Sequence, residues 1–397
     1  MSITDIKHSL RKYDFPQCAK EALGKIEQIL AGRNAPTNKQ VDGVMEIIAE
    51  FIFCESDRRS TRRNGSLNPL QELQLIDVIC EYLSGNINET AKNTIFLSLF
   101  GGTESQRRQK ILSILASMAV SASNTSMLLA VGVWLQQMGC SSQQSLQLAE
   151  NIIRDHFHLS SNIKALKSLA NVAPQFVANF ITAVTELYMR EVNGDVKLPP
   201  KNLLEIITYW VYSNPVLCMS AQMNPAALPS GAIPMTVVTP IAGLIYWYAL
   251  APLYLTKEQP AEEVPMKKIK LECDKINVPR KANKVTLSEA VLYEKLQVGV
   301  LTCLRTNKKT SPIVNAQHLL NILPPIHQRS HQLLSQGVQL ATHTQLQDCL
   351  DRIGQSVQVA LAHGCVFGNL SNLFSSLNSL PENRLLRIII KMHQQTI

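Results

Sequence analysis

Apolar residues recur along most of the chain at the three-and-four spacing of a helix with one buried face. Val41, Val44, Met45, Ile48, Phe51 and Ile52 form one such stripe, and Leu70, Leu73, Ile76, Ile79, Cys80 and Leu83 form another. Pro69 suits the first turn of the second helix and Gly85 its end. Helices follow around Ile87 to Leu99, Ile111 to Ala119, Trp134 and Leu135 before Gly139, and Leu146 to Phe157. Ile163 to Val172 is a shorter one, halted by Pro174, and Phe176, Phe180, Val184 and Leu187 continue to Tyr188. Pro199 and Pro200 open a helix carrying Leu203, Leu204, Ile207, Trp210 and Val211. Strict alternation is nearly absent, so no β domain is expected. The pattern predicts an all-α fold, an irregular α-solenoid of stacked, HEAT-like antiparallel hairpins.

The pattern changes abruptly over 257–285, where charges and three prolines replace the periodicity. This segment reads as a flexible linker. It divides an N-terminal solenoid, 1–256, from a C-terminal helical region, 286–397, expected to pack back on the first. The later helices are Leu287 to Arg305, Pro312 to Leu340 with a break at Pro324-Pro325, a stripe from Leu346 to Leu361, and a last one from Glu382.

Charge adds two loops to this picture. Of the 397 residues only 17% are charged, with a formal net charge of +8. Arg58, Arg59, Arg62 and Arg63 crowd one short segment around Ser60 and Thr61. They form a basic interaction loop, where phosphorylation of the hydroxyls would be neutralised locally. Lys267, Lys268 and Lys270 have the spacing of a nuclear-import signal, an extended basic run suited to an acidic groove. Neither segment contains an aromatic residue, which argues against direct binding of nucleic acid by stacking.

Between Ile206 and Leu255 there is no charged residue at all. The stretch from Ile233 to Leu255 matches the ~20 residues that a bilayer span needs. Pro234, Pro240 and Pro252 confine the helix within it to about Pro240 to Leu250, too short to cross. A helix buried on all sides by protein is the expectation. Tyr212, Met219 and Met223, beside Pro215 and Pro225, are candidate interface residues, because aromatic and Met side chains dominate binding energies.

No catalytic constellation emerges. There is no Gly-rich dinucleotide turn, phosphate loop, H-E-x-x-H or nucleophile elbow. His327 and His331 share a helix face but lack neighbouring Cys or acid to complete a metal site. Asp155, His156 and His158 read as a frayed helix end. The nine cysteines are dispersed without paired spacing, as reduced core thiols are. No enzyme, metal or cofactor is expected.

A resemblance becomes specific at Leu67 to Leu83, Leu-Asn-Pro-Leu-Gln-Glu-Leu-Gln-Leu-Ile-Asp-Val-Ile-Cys-Glu-Tyr-Leu, read with Asp5-Ile6-Lys7-His8-Ser9-Leu10. Ile95 to Phe100, Ser117 to Val120, Trp134-Leu135-Gln136, Phe180 to Thr185, and Leu203 to Ile207 with Trp210 continue it in order. Pro240, Gly243-Leu244-Ile245, Trp247, Leu350-Asp351-Arg352, Leu380-Pro381 and Leu385-Leu386 complete it. This series is similar to the Integrator complex subunit 15 family. The resemblance implies a nuclear, non-catalytic α-helical scaffold. It would link a module of Integrator subunits 10, 13 and 14 to the rest of an assembly that engages RNA polymerase II, indirectly for this chain. That assembly serves small nuclear RNA 3′-end processing and early transcription termination. Two other readings stay open on the residues alone: a nucleic-acid-binding helical solenoid, and a membrane-anchored helical protein using 233–255.

Overall fold

The structure, a computed structural model, describes residues 2–30, 37–55, 67–102, 105–158, 163–192, 195–228, 235, 239–254, 286–306 and 312–394. Helices dominate. They run in order α1 (Ile3–Leu10), α2 (Gln17–Leu30), α3 (Asn38–Ile47, continued by a π-helical turn Ile48–Ile52), α4 (Pro69–Ser84), α5 (Glu89–Phe100), α6 (Gln106–Ala122) and α7 (Thr125–Met138). Next come α8 (Gln143–His156), α9 (Ile163–Val172), α10 (Pro174–Leu187), α11 (Lys201–Ser213), α12 (Ser220–Met223) and α13 (Ile241–Leu250). The remainder are α14 (Leu287–Thr306), α15 (Ala316–Leu320), α16 (Leu323–Ser335), α17 (Thr344–Ala362), α18 (Leu370–Asn378) and α19 (Arg384–Gln394). Strand pairing among the described residues is confined to two-residue ladders. Glu191–Val192 pairs antiparallel with Asp195–Val196, and Val314–Asn315 pairs parallel with Val366–Phe367. The all-α expectation holds.

The termini of these helices are written into the sequence. At α4, Asn68 accepts from the Gln71 amide at 2.9 Å while Gln71 accepts from the Asn68 amide at 3.0 Å. Two of the four orphan donors at a helix start are thereby satisfied, and Pro69 removes another. The proline pair Pro324-Pro325, expected to break a helix, instead opens α16. Proline is tolerated in the first turn because its missing N–H has no intrahelical partner there.

The described residues form two compact units, 1–184 with 216–240 and 185–215 with 241–397. Helices from both sides of segment 257–285 thus share the second unit. The segment itself lies outside the described residues.

In the first unit α6 packs on α7 and α8, α5 on α7, and α4 on α6. From α5 to α8 sequential helices pack on one another, and from α4 to α8 next-but-one helices do so too, the relation that stacked hairpins produce. Gly132 of α7 allows α10 to approach closely, since a Cβ there would stand 3.0 Å from the Phe176 Cα. Asn179 uses that approach to donate to the Gly132 carbonyl at 2.9 Å. Trp134 is buried and donates its indole N–H to the Phe100 carbonyl at 3.0 Å.

The second unit is built on α13, where every residue from Leu244 to Leu250 is buried. It packs against α14 and α17, and α14 also lies along α11. Trp247 donates to the Thr185 carbonyl at 3.3 Å and meets Tyr188 edge-on. The Tyr248 hydroxyl lies 2.6 Å from Ser356 Oγ, and Arg352 donates to the Tyr248 carbonyl at 2.9 Å. Burying one such aromatic contributes about 4–6 kcal/mol of transfer free energy. The uncharged stretch is therefore explained where it is described: protein surrounds α13. Among the described residues no helix is long and apolar enough to cross a membrane.

Candidate functional site

His156 ends α8, and its Nε2 lies 2.9 Å from Ser117 Oγ and 3.1 Å from the Ser117 carbonyl. A carbonyl only accepts, so the contact to it requires Nε2 to carry the proton. A nitrogen engaged in that way does not deprotonate the neighbouring hydroxyl. Asp155 pairs with Arg154 at 3.4 Å, and burial lowers the His156 pKa. The arrangement fastens α8 to α6. His327 lies 3.4 Å from Ser379 Oγ, and His331 is exposed. Among the described residues no group of three or more His, Cys, Asp or Glu could hold a metal ion.

The described cysteines are free thiols, all buried except the half-buried Cys80. Burial pushes Cys54 up to about 11 and Cys140 up to about 12. Thiols held so far above neutral pH are poor nucleophiles.

What the described surface does offer is charge and exposed apolar side chains. Some cations are consumed internally. Arg108 is buried in α6, where it donates to both carboxylate oxygens of Glu55 and lies 4.5 Å over the Phe53 ring. Lys7 meets Glu46 at 2.6 Å, Arg11 meets Glu50 at 2.8 Å, and Lys20 meets Glu81 at 2.7 Å.

The sequence-predicted interaction residues fare differently. Tyr212 is 49% exposed at the end of α11, with Lys295 of α14 over its ring at 4.6 Å. Met223 is 60% exposed in the first unit. Met219 is only 6% exposed, so its assignment as an interface residue is corrected. The 3₁₀ turn Leu217–Met219 carries all three of its side chains inward. Arg58, Arg59, Arg62 and Arg63, with Ser60 and Thr61, lie outside the described residues, as do Lys267, Lys268 and Lys270.

Sequence reasoning also missed exposed apolar positions. Leu70 and Leu73, read as core stripe, are exposed, whereas Leu75, Ile76, Ile79 and Leu83 are buried. The buried side of α4 centres on Leu75, Val78 and Ile79, and the helical rotation turns Leu70 and Leu73 away from it. Likewise Val41 and Met45 of α3 are exposed while Val44, Ile47 and Ile48 are buried. On α19, Ile388 and Met392 are exposed beside Arg384, Arg387 and Lys391. The signal for that face was present in the spacing, because these residues recur at three and four while Leu386, Ile389 and Ile390 occupy the buried side.

The described residues thus define an all-helical protein with exposed apolar and basic side chains. A family profile described as Integrator complex subunit 15 matches residues 4–382. A Drosophila melanogaster protein of that description is 35% identical over 411 aligned residues, covering 100% of both chains. A Homo sapiens protein of the same description is 29% identical over 98% of this chain and 87% of its own. The corresponding Danio rerio protein is 28% identical over 98% of this chain and 81% of its own. The chain belongs to the Integrator complex subunit 15 family.

Proposed function

We propose that this protein is a non-catalytic scaffold subunit of the Integrator complex. It links the module of subunits 10, 13 and 14 to the rest of the assembly, in the nucleus. It reaches RNA polymerase II indirectly, during small nuclear RNA 3′-end processing and early transcription termination. The observation that carries this reading is the family match along 4–382, on a chain whose described residues are packed helices with exposed apolar side chains. Tyr212 and Met223 are assigned to contacts with other subunits. Lys267, Lys268 and Lys270 are assigned to nuclear import, and Arg58, Arg59, Arg62 and Arg63 to a basic interaction loop.

The test is reconstitution. Purified full-length chain is mixed with a purified module of subunits 10, 13 and 14, and the mixture is separated by size. Co-elution at constant stoichiometry is the expected result. Independent elution under conditions where both remain folded overturns the linking role. Tight, steeply salt-dependent binding of RNA or DNA by the chain alone would favour the nucleic-acid reading instead.

A further inference from the structure

The last described helix presents an unusual face. In α19, Arg384, Arg387, Ile388, Lys391 and Met392 are all exposed, at spacings that bring them to one side. Leu386, Ile389 and Ile390 form the opposite, buried side. An exposed helix face is ordinarily polar. This one alternates cations with aliphatic side chains that are 47% and 54% exposed. A groove of about 450 Å³ adjoins it, lined by Ala341, Gln347, Glu382, Arg384, Arg387 and Ile388.

The electrostatics are one-sided. Glu382 meets Arg387 at 2.7 Å, while no ion pair to Arg384 or Lys391 is seen among the described residues. Arg384 and Arg387 also occupy the first turn, where the helix dipole is positive and disfavours cations. A carboxylate from outside would relieve both the dipole and the mutual repulsion. The apolar half of the face decides what carries that carboxylate. Ile388 and Met392 stand four apart and offer nothing to a phosphate backbone, and the face has no aromatic ring on which a base could stack. Adjacent cations and aliphatic side chains fit acidic residues flanking apolar anchors.

We infer that the exposed face of α19, with its groove, docks a short acidic amphipathic segment of another subunit. Glutamate or aspartate would reach Arg384, Arg387 and Lys391, and aliphatic anchors would cover Ile388 and Met392. The inference rests on the scaffold reading and names the partner chemistry for one of its surfaces.

Lys391 supplies a reporter. The assembly is purified through tagged full-length chain and treated with a carbodiimide. This reagent condenses a lysine amine with a carboxylate in contact to an amide, taking up the water released as its urea. Coupled peptides are read by mass spectrometry. The expected result is an amide between Lys391 and an Asp or Glu of another subunit, with slower acylation of Lys391 than in the free chain. Arg384→Glu with Arg387→Glu is expected to lower the coupling yield about tenfold. Ile388→Ser with Met392→Ser, both at exposed positions, is expected to lower it similarly. If the assembly forms but Lys391 couples to no partner and is acylated as in the free chain, the inference fails and the scaffold reading stands. Crosslinking of α19 to RNA by ultraviolet light, without carboxylate coupling, overturns it in favour of nucleic acid. Recovery of no other subunit overturns the inference together with the scaffold reading.

Discussion

Replacing Gly243 by Ala tests how tightly the charge-free helix α13 is held. A Cβ added there would collide with Thr185 Oγ1 and lie 2.5 Å from the Thr185 Cβ and 3.0 Å from its Cγ2. Carbon atoms in contact need about 3.5–4.0 Å. Rotation about χ1 moves the hydroxyl but not the Thr185 Cβ, so relief requires α13 to retreat from α10 by about 1 Å, the shortfall against that contact distance. Such overpacking costs about 1–3 kcal/mol. Retreat also stretches the 3.3 Å hydrogen bond from Trp247 to the Thr185 carbonyl, worth about 1 kcal/mol. Helix propensity works the other way, favouring Ala over Gly by about 1 kcal/mol. The sum is a net destabilisation of about 2 kcal/mol.

The same substitution at Gly24 has the opposite sign. Nothing lies within 4 Å of a Cβ added there, in the middle of α2. Only the propensity gain of up to about 1 kcal/mol remains. Native-state hydrogen exchange reads the two helices separately, which matters in a protein of two units because a single unfolding midpoint does not. In Gly243→Ala, the slowest α13 amides are expected to exchange about thirtyfold faster, the equivalent of 2 kcal/mol at about 1.4 kcal/mol per decade. In Gly24→Ala, α2 protection is expected to stay level or rise. Unchanged protection of α13, or lost protection of α2, refutes the reasoning.

Five further outcomes follow from named groups. Ser356→Ala leaves the buried Tyr248 hydroxyl without its 2.6 Å partner and is expected to cost about 1–3 kcal/mol. Tyr248→Phe leaves Ser356 still donating to the Arg352 carbonyl and should cost only about 1 kcal/mol, an ordering that urea unfolding checks. Arg108→Lys loses the paired contacts to Glu55 and the stacking on Phe53, with about 1–3 kcal/mol lost in the same assay. Burial lowers the folded-state pKa of His156 from 6.5, so unfolding takes up protons. Stability from this group is present above about pH 6.5 and declines as pH falls below it toward the lower folded value. The slope should flatten in His156→Gln, measured by unfolding across that range. Native chain should react with a thiol reagent at pH 7 slowly at Cys54 and Cys140, with full reaction in urea.

Much of the fold was legible because its signals are local. Pro69 and Gly85 bracket α4, and Pro240 sits one residue before α13. The parallel pairing of Val314–Asn315 with Val366–Phe367 was not legible, because two residues give no alternation and their partner is remote in sequence. Exposure within a helical stripe was legible only in part. Leu70 and Leu83 belong to one pattern, yet Leu70 is 65% exposed and Leu83 is buried. Successive steps of three residues rotate a stripe around the helix, so Leu70 and Leu83 end on different sides, and only the packing shows which side is buried. Met219 failed for the complementary reason. Its proline-flanked surroundings pointed outward, but the 3₁₀ turn rotates it into the core. The mixed face of α19 has the spacing of a core stripe, and only the packing of Leu386, Ile389 and Ile390 shows which side is buried and which is exposed. Recognition of the family needed no such geometry, since its matches run along 4–382.

The linking role is tested most directly by removing the chain from cells and purifying the remaining assembly through a subunit outside the 10/13/14 module. The account predicts that the module is lost from that preparation while its own three subunits still associate with one another. It also predicts that re-expressed full-length chain restores the connection. Recovery of the module at its normal stoichiometry in the absence of this protein would contradict it.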